Sequence, residues 1–315
     1  MCLLQIALCS VPMATIRLKT AFLVCFNVAI LIVVLRKAFH DCRSLIVVSS
    51  GDMSRLPIRS TEETLYVMHG EGDFADDDEN LLNYIRSMMS QQGPGGRHLV
   101  SEPSTMHFSQ LGGSKFIDKL LKQRRNGFFV ECGAYRGEEL SETLFFEKER
   151  NWTGILIEAH PDFHHDILTK NRHAIVLRGC LSSTRRPGVL KFKLNSKGSG
   201  LTSFNKNVNA DDKTVPETDV QCFSLNSIMA AIGVNHIDFM VLDVEGSEIP
   251  VLRTIDWARL SVDVFSIEYM LPRNSVNKLQ TIRQFFNATG HYHEVGKLPL
   301  GAKDCSGQDV IFMRF

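Results

Sequence analysis

The feature that most constrains this chain is a recurring one. Short apolar runs end in a carboxylate or a glycine and give way to helical periodicity. Residues 127–134 read GFFVECGA, 154–160 GILIEAH, 174–182 AIVLRGCLS, 237–245 IDFMVLDVE and 262–270 VDVFSIEYM. A strand with apolar residues on both faces must be covered on both. The intervening segments are predicted as helices. FIDKLLKQRR places Phe116, Ile117, Leu120 and Leu121 on one face. A second helix is expected from about Glu138 to Glu149, a third capped by Asp162 and a fourth capped by Ser224. Two more are expected at Glu248 to about Ile255 and at Asn277 to Ala288. Residues 189–223 suggest β-ribbon pieces, and DVIFMRF at 309–315 a last strand. Strands alternating with helices predict an α/β fold: a mainly parallel sheet with helices on both faces.

Composition narrows the classes. Among 315 residues, 35 Lys+Arg balance 35 Asp+Glu, and 44% are hydrophobic. That supply of apolar side chains excludes a disordered chain. The balanced charge argues against a nucleic-acid partner, since nothing offsets phosphate in bulk.

The front end is different. Residues 20–35, TAFLVCFNVAILIVVL, carry no charge; Arg17 and Lys19 precede them and Arg36 and Lys37 follow. A bilayer core takes roughly 20 apolar helical residues, with a lower limit near 17, and flanking basic side chains extend a short span. A cleaved signal peptide lacks a clear A-x-A site here, and a buried core helix would carry polar positions. The reading is a signal anchor in contact with the lipid bilayer. Residues 1–19 would be a short cytosolic tail, 20–35 the transmembrane span, 36–107 a stalk and 108–315 the folded domain. The expected address is the endoplasmic reticulum or Golgi, with endosome or plasma membrane as further possibilities and the C-terminal domain lumenal. Two glycosylation sequons, at Asn151 and Asn287, agree with that side. A disulfide among Cys132, Cys180, Cys222 and Cys305 is permitted there, although spacing assigns no pairing. The triple Asp at 76–78 lacks the apolar strand that precedes a metal-binding D-x-D, and is read as a solvated acidic loop, with a short helix expected from Leu81 to Met89 after it. No C-x-x-C pair and no His spacing suggests a ligand set, so no metal is expected.

Chemistry collects at the strand ends. Glu131-Cys-Gly-Ala-Tyr-Arg-Gly137 follows a buried strand and is expected to open a helix. Gly133 permits a tight turn, Gly137 lets the helix start pack closely, and free N–H groups there would favour an anion. A plain strand–helix turn is the alternative. Glu158 ends the next strand, about 20 residues beyond the glycine turn, where a carboxylate accepts hydrogen bonds from ribose hydroxyls. The alternative is a salt bridge to Arg178. Asp243, Glu245 and Glu248 follow IDFMVL at the same sheet edge, where they could hold an amine, orient a hydroxyl or act as general base. Glu248 equally suits the first turn of a helix. Glu268 ends another apolar strand at that edge.

These motifs in this order, with GFFVECGAYRGEELSETLFFEKERNWTGILIEAHP, IDFMVLDVEGSEIPVL and the terminal QDVIF, resemble the FkbM-type methyltransferase family, and within it the Star-like branch of insects. The resemblance spans roughly Ser109 to Phe315. It implies a Rossmann-like domain using S-adenosyl-L-methionine. Carried over motif by motif, Glu131, Gly133, Ala134 and Gly137 would line the methionine part. Glu158 would hold the ribose. Asp243 would sit in the cofactor pocket and, with Glu245 and Gly246, flank the methyl transfer. Many family members carry Asp or Asn where Arg136 stands, and Asn where Glu142 stands; Arg136 would then pair the methionine carboxylate or crowd the pocket. Two functions follow from the resemblance. One is a membrane-anchored O-methyltransferase acting on a hydroxyl of a sugar or glycoconjugate. The other is a non-catalytic, Star-like regulator of EGF receptor signalling that acts in ER-to-Golgi or endosomal trafficking of a membrane protein cargo.

Overall fold

Strands that are apolar on both sides need two cores, and the chain builds two. The computed structural model describes residues 67–70, 74–91, 98–194, 200–201, 216–270, 275–303 and 308–315. The expected tail, the span at 20–35, the front of the stalk and Cys305 lie outside the described residues. Among the described residues, no helix is long and apolar enough to cross a membrane.

Eight strands form the main sheet. In chain order they include β1 (Met89–Gln91), β2 (Phe128–Cys132), β3 (Thr153–Glu158) and β4 (Ile175–Arg178). Four short strands, β5 (Cys180–Leu181), β6 (Gly188–Lys193), β7 (Gly200–Leu201) and β8 (Glu217–Phe223), then form a second sheet. β9 (His236–Leu242), β10 (Ser261–Glu268), β11 (Tyr292–Leu298) and β12 (Asp309–Arg314) complete the first. The main order is β1-β4-β3-β2-β9-β10-β12-β11 and the small one β5-β8-β6-β7. The centre, from β4 to β10, is parallel. β1 on one side and β12 and β11 on the other run antiparallel to their neighbours.

Alternation along each strand sends its residues to opposite faces. Val130, Ile155, Met240 and Phe265 join one buried cluster; Phe129, Leu156, Phe239 and Val264 join the other. Helices α1 (Glu79–Ser87), α5 (Leu225–Ala231), α6 (Glu248–Thr254) and α7 (Ser275–Thr289) cover the first face. Helices α2 (Gly113–Leu120), α3 (Leu144–Arg150) and α4 (Pro161–Thr169) cover the second. The mainly parallel sheet with two helical layers agrees with the sequence reading. The pieces expected in 189–223 form the small sheet, and a disulfide joins Cys180 to Cys222 across β5 and β8.

Two expectations need correction. The stalk assigned to 36–107 does not hold for residues 74–91. Asp78 caps α1 by accepting from the N–H groups of Asn80 and Leu81, and Leu81, Leu82 and Ile85 are buried in the first core. β1 then adds an edge to the main sheet. The acidic run is structural rather than merely solvated, since Asp76 accepts from the Ser224 and Ser227 hydroxyls. The second correction concerns the helix expected from Glu138. It begins only at Leu144, because residues 141–143 are tied to β2 instead: Glu131 accepts from the Ser141 and Thr143 hydroxyls and from the Glu142 N–H.

Candidate functional site

Parallel strands all end at one edge, so the residues closing β2, β3, β9 and β10 are brought together by topology. They surround a cavity of about 470 Å³. Glu131, Gly133, Ala134, Glu158, Asp243 and Glu245 all line it. Gly137 does not. It packs on Ile167 and, with φ +74°, closes the turn. Since no helix starts there, the expected cradle of helical N–H groups is absent at that point.

Gly133 is where β2 and β9 meet. Its φ is +80°, and a side chain there would run into the Asp243 carbonyl. The Asp243 N–H in turn donates to the Cys132 carbonyl at 3.2 Å. Glu158 is buried, and its oxygens accept from the Tyr135 N–H at 2.8 Å and the His160 N–H at 2.7 Å. Those two backbone groups, not Arg178, fix its carboxyl. Burial pushes its pKa up to about 7 against these bonds. Glu131 is also buried and spends both oxygens on the 141–143 loop; burial raises its pKa and Arg172 opposes the rise. Arg136 does not line the cavity; it pairs Asp166 at 2.7 Å and lies over the rings of Tyr135 and Phe163, which do.

The far end of the cavity is crowded with acids. Asp243 is exposed and opens onto the cavity, although protein packs closely around its carboxyl. That enclosure, and then Glu268, Glu245, Asp309 and Glu248, drive its pKa well above the carboxylate range. Glu245 is raised by burial and Glu248, with Lys278 opposing. Glu268 is pushed up to about 8 by burial first, with Lys278 opposing and its acidic neighbours adding, and Asp309 to about 6 by burial. Lys278 Nζ lies 3.0 Å from Glu248 Oε2 and 3.3 Å from Glu268 Oε2. Glu248 is fully buried and also accepts from the Val244 and Gly246 N–H groups, so the strand-end loop is built around it.

Sequence reasoning missed several lining residues. Tyr135 and Leu140 are two of them; they and the expected Glu245 adopt left-handed backbone, with φ of 50°, 64° and 55°. Such conformations are costly for non-glycine residues and gather where a site over-determines them. Glu142 and Asp309 also line the cavity. Asp309 faces Glu268 in the β10–β12 register, which the start of the DVIFMRF run would have suggested had the antiparallel pairing been known.

Chemically, the arrangement offers a glycine bend open to close backbone approach, a fixed carboxylate for vicinal hydroxyls, and several carboxyls with pKa values near neutrality. A base is most effective when its pKa lies near the working pH.

Comparison with known proteins agrees with this chemistry. The family model described as Methyltransferase FkbM domain matches residues 131–294, just over half of the chain. No curated protein matches. Among solved structures, the FkbM methyltransferase of Methylobacillus flagellatus KT is 13% identical, with a TM-score of 0.37, covering 60% of this chain and 43% of that one. The chain thus spans under half the length of that relative. A Streptococcus mutans methyltransferase in complex with SAH is 8% identical, with a TM-score of 0.36, over 64% of this chain and 97% of that one. A Pyrococcus furiosus methyltransferase is 15% identical, with a TM-score of 0.35, over 65% and 83%. These structural likenesses are too weak to argue from. The family match, which begins at Glu131 and takes in Gly133, Glu158, Asp243 and Glu268, carries the assignment: the chain belongs to the methyltransferase FkbM domain family.

Proposed function

We propose that this protein is a membrane-anchored, S-adenosylmethionine-dependent O-methyltransferase acting on a hydroxyl of a sugar or glycoconjugate. The observation that supports it most is the convergence of Gly133, Glu158 and Asp243, from three different strands, on one cavity. The donor set fits the cofactor. Glu158 suits the ribose hydroxyls, the Gly133 turn admits a ligand close to backbone, and the surrounding carboxyls suit a ligand that carries positive charge. Bound there, S-adenosylmethionine would supply a methyl group on an electrophilic sulfonium. Asp243 would take the proton of the acceptor hydroxyl, and Glu245 and Glu268 would set how readily it does so. Little else is needed, because methyl transfer is governed by positioning and a base. Membrane anchorage rests on residues 20–35, and a lumenal domain is supported by the exposure of both sequon asparagines, Asn151 and Asn287.

The test is calorimetry on the full-length protein in detergent. S-adenosylmethionine or S-adenosylhomocysteine is expected to bind, and Glu158→Ala to abolish binding. A folded protein that binds neither would favour the trafficking role instead.

A further inference from the structure

The cavity has walls from both sheets. The main sheet supplies the strand-end residues already described. The small sheet supplies Cys180, Leu181 and Phe192, which line the cavity together with Gly179. This second wall stands directly beside Glu158. In the β3–β4 register Glu158 faces Arg178, and the next residue, Gly179, donates its N–H to the Glu158 carbonyl at 3.0 Å. Whatever lies against the Glu158 carboxyl therefore meets the small sheet next.

That wall has little apolar burial of its own to hold it. β5 is two residues long and pairs β8 only through Cys180↔Cys222 and Leu181↔Phe223. The buried cluster of the small sheet is Cys180, Phe192, Val220 and Cys222, so half of it is the disulfide itself. Neither cysteine belongs to the two cores of the main sheet. Cores too small to hold by apolar burial are the ones that depend on cross-links. The Cys180–Cys222 bond joins residues 42 apart in the chain, and breaking it returns that loop-closure entropy to the segment. The bond is also within reach of a small molecule. Cys222 is 1% exposed, but Cys180 lines the cavity.

We propose that the Cys180–Cys222 disulfide is a positioning element of the cofactor site: it keeps the wall beside Glu158 in place, so that the oxidised chain binds the cofactor tightly and the reduced chain binds it weakly. This rests on reading the site as one of methyl transfer, and it adds a dependence on thiol redox state. A dithiol reductant gives two electrons and two protons to the bond; Cys180 and Cys222 become thiols and the dithiol becomes a disulfide. Binding and reduction are then reciprocal. The factor by which reduction weakens cofactor binding is the factor by which bound cofactor favours the disulfide. In an oxidising compartment the bond persists and the site stays assembled.

The experiment titrates S-adenosylhomocysteine by calorimetry into the full-length protein in detergent, before and after dithiothreitol. Affinity is expected to fall at least about fivefold on reduction, the lower end of ordinary coupling between sites. Alkylation and peptide mass spectrometry at Cys180 and Cys222, across dithiothreitol redox buffers, then read the thiol–disulfide equilibrium. Saturating S-adenosylhomocysteine is expected to shift it toward the disulfide by the same factor, which a bond of merely structural role would not show. Cys222→Ala should bind as weakly as the reduced protein, and dithiothreitol should weaken it no further. Equal affinity in the two redox states, or an equilibrium that S-adenosylhomocysteine leaves unmoved, would overturn the inference while leaving methyl transfer standing. Loss of main-sheet circular dichroism on reduction would overturn it too, since the bond would then hold the whole domain. Failure of the oxidised protein to bind S-adenosylhomocysteine would overturn the methyl-transfer reading and this inference with it. Should Cys222→Ala not fold, or the bond resist dithiothreitol, the other comparison decides the matter.

Discussion

β9 and β10 each carry an acid near both ends, and the two ends behave in opposite ways. At the start, Asp238 and Asp263 share the Arg124 guanidinium, which lies 2.7 Å from Asp263, and His236 Nε2 lies 3.5 Å from Asp263 and 3.8 Å from Asp238. Asp238 also accepts from the Phe128 N–H at 2.7 Å. Burial works to raise both aspartates, yet these partners hold both below the usual range. At the finish, Asp243 and Glu268 meet Glu245, Asp309 and Glu248 with one lysine among them, and both are raised. Acids at the start are neutralised and belong to the architecture. Acids at the finish are left short of countercharge, which a structural role would not need and a ligand would supply.

The sharpest way to break this contrast is Asp243→Asn. Methyl transfer is expected to fall by about 10²–10⁴-fold, the usual contribution of a positioned base. Cofactor affinity should fall far less, and thermal stability should hold or rise as repulsion is relieved. Measuring transfer, affinity and melting on one preparation checks all three. An unchanged rate would remove Asp243 from the chemistry.

The matching change at the other end is Asp238→Ala. It should cost about 1–3 kcal/mol of stability, since it orphans the Phe128 N–H and half of the Arg124 pairing. Denaturant midpoints would read this, and cofactor affinity should not move.

The two ends also predict pH dependences of the same sign over different ranges. Glu268 is raised from 4.5 to about 8 in the fold. Its folded form therefore binds its proton more tightly than the unfolded chain does, and stability falls as pH rises from about 4.5 through 8. Glu268→Gln should flatten the melting temperature over that range. His236 is raised from 6.5 to about 9, first by Asp238 and then by Asp263. Its stabilisation is complete below about 6.5 and lost as pH rises through 9. The side chain is 46% exposed, so the effect is under about 1 kcal/mol. His236→Gln should be the less stable protein at about pH 6 and indistinguishable from the parent at about pH 10.

What was legible in the sequence had a local signature. The apolar runs at 127–134, 154–160, 237–245 and 262–270 announced buried parallel strands, and their terminal carboxylates announced the edge that surrounds the cavity. Glu158 and Asp243 were found for that reason. What was hidden depended on distant partners. The loop at 141–143 resists its helical sequence because a strand-end carboxylate, Glu131, is offered to it through the fold. The short helix expected over 81–89 is present at Glu79–Ser87, but only a partner core reveals that Leu81, Leu82 and Ile85 have somewhere to go. Glu142 and Asp309 reach the cavity from a loop and from an antiparallel strand, so no strand-end rule could collect them.

Gly133 has a mechanical consequence. Bare backbone on one strand rests against the Asp243 carbonyl on the next. The spacing between the Gly133 turn and Asp243 is therefore set by two main chains in contact, with no side chain to act as a spring. Even one added methyl group would be a wedge driven between them, prising the Gly133 turn away from the strand end that carries Asp243.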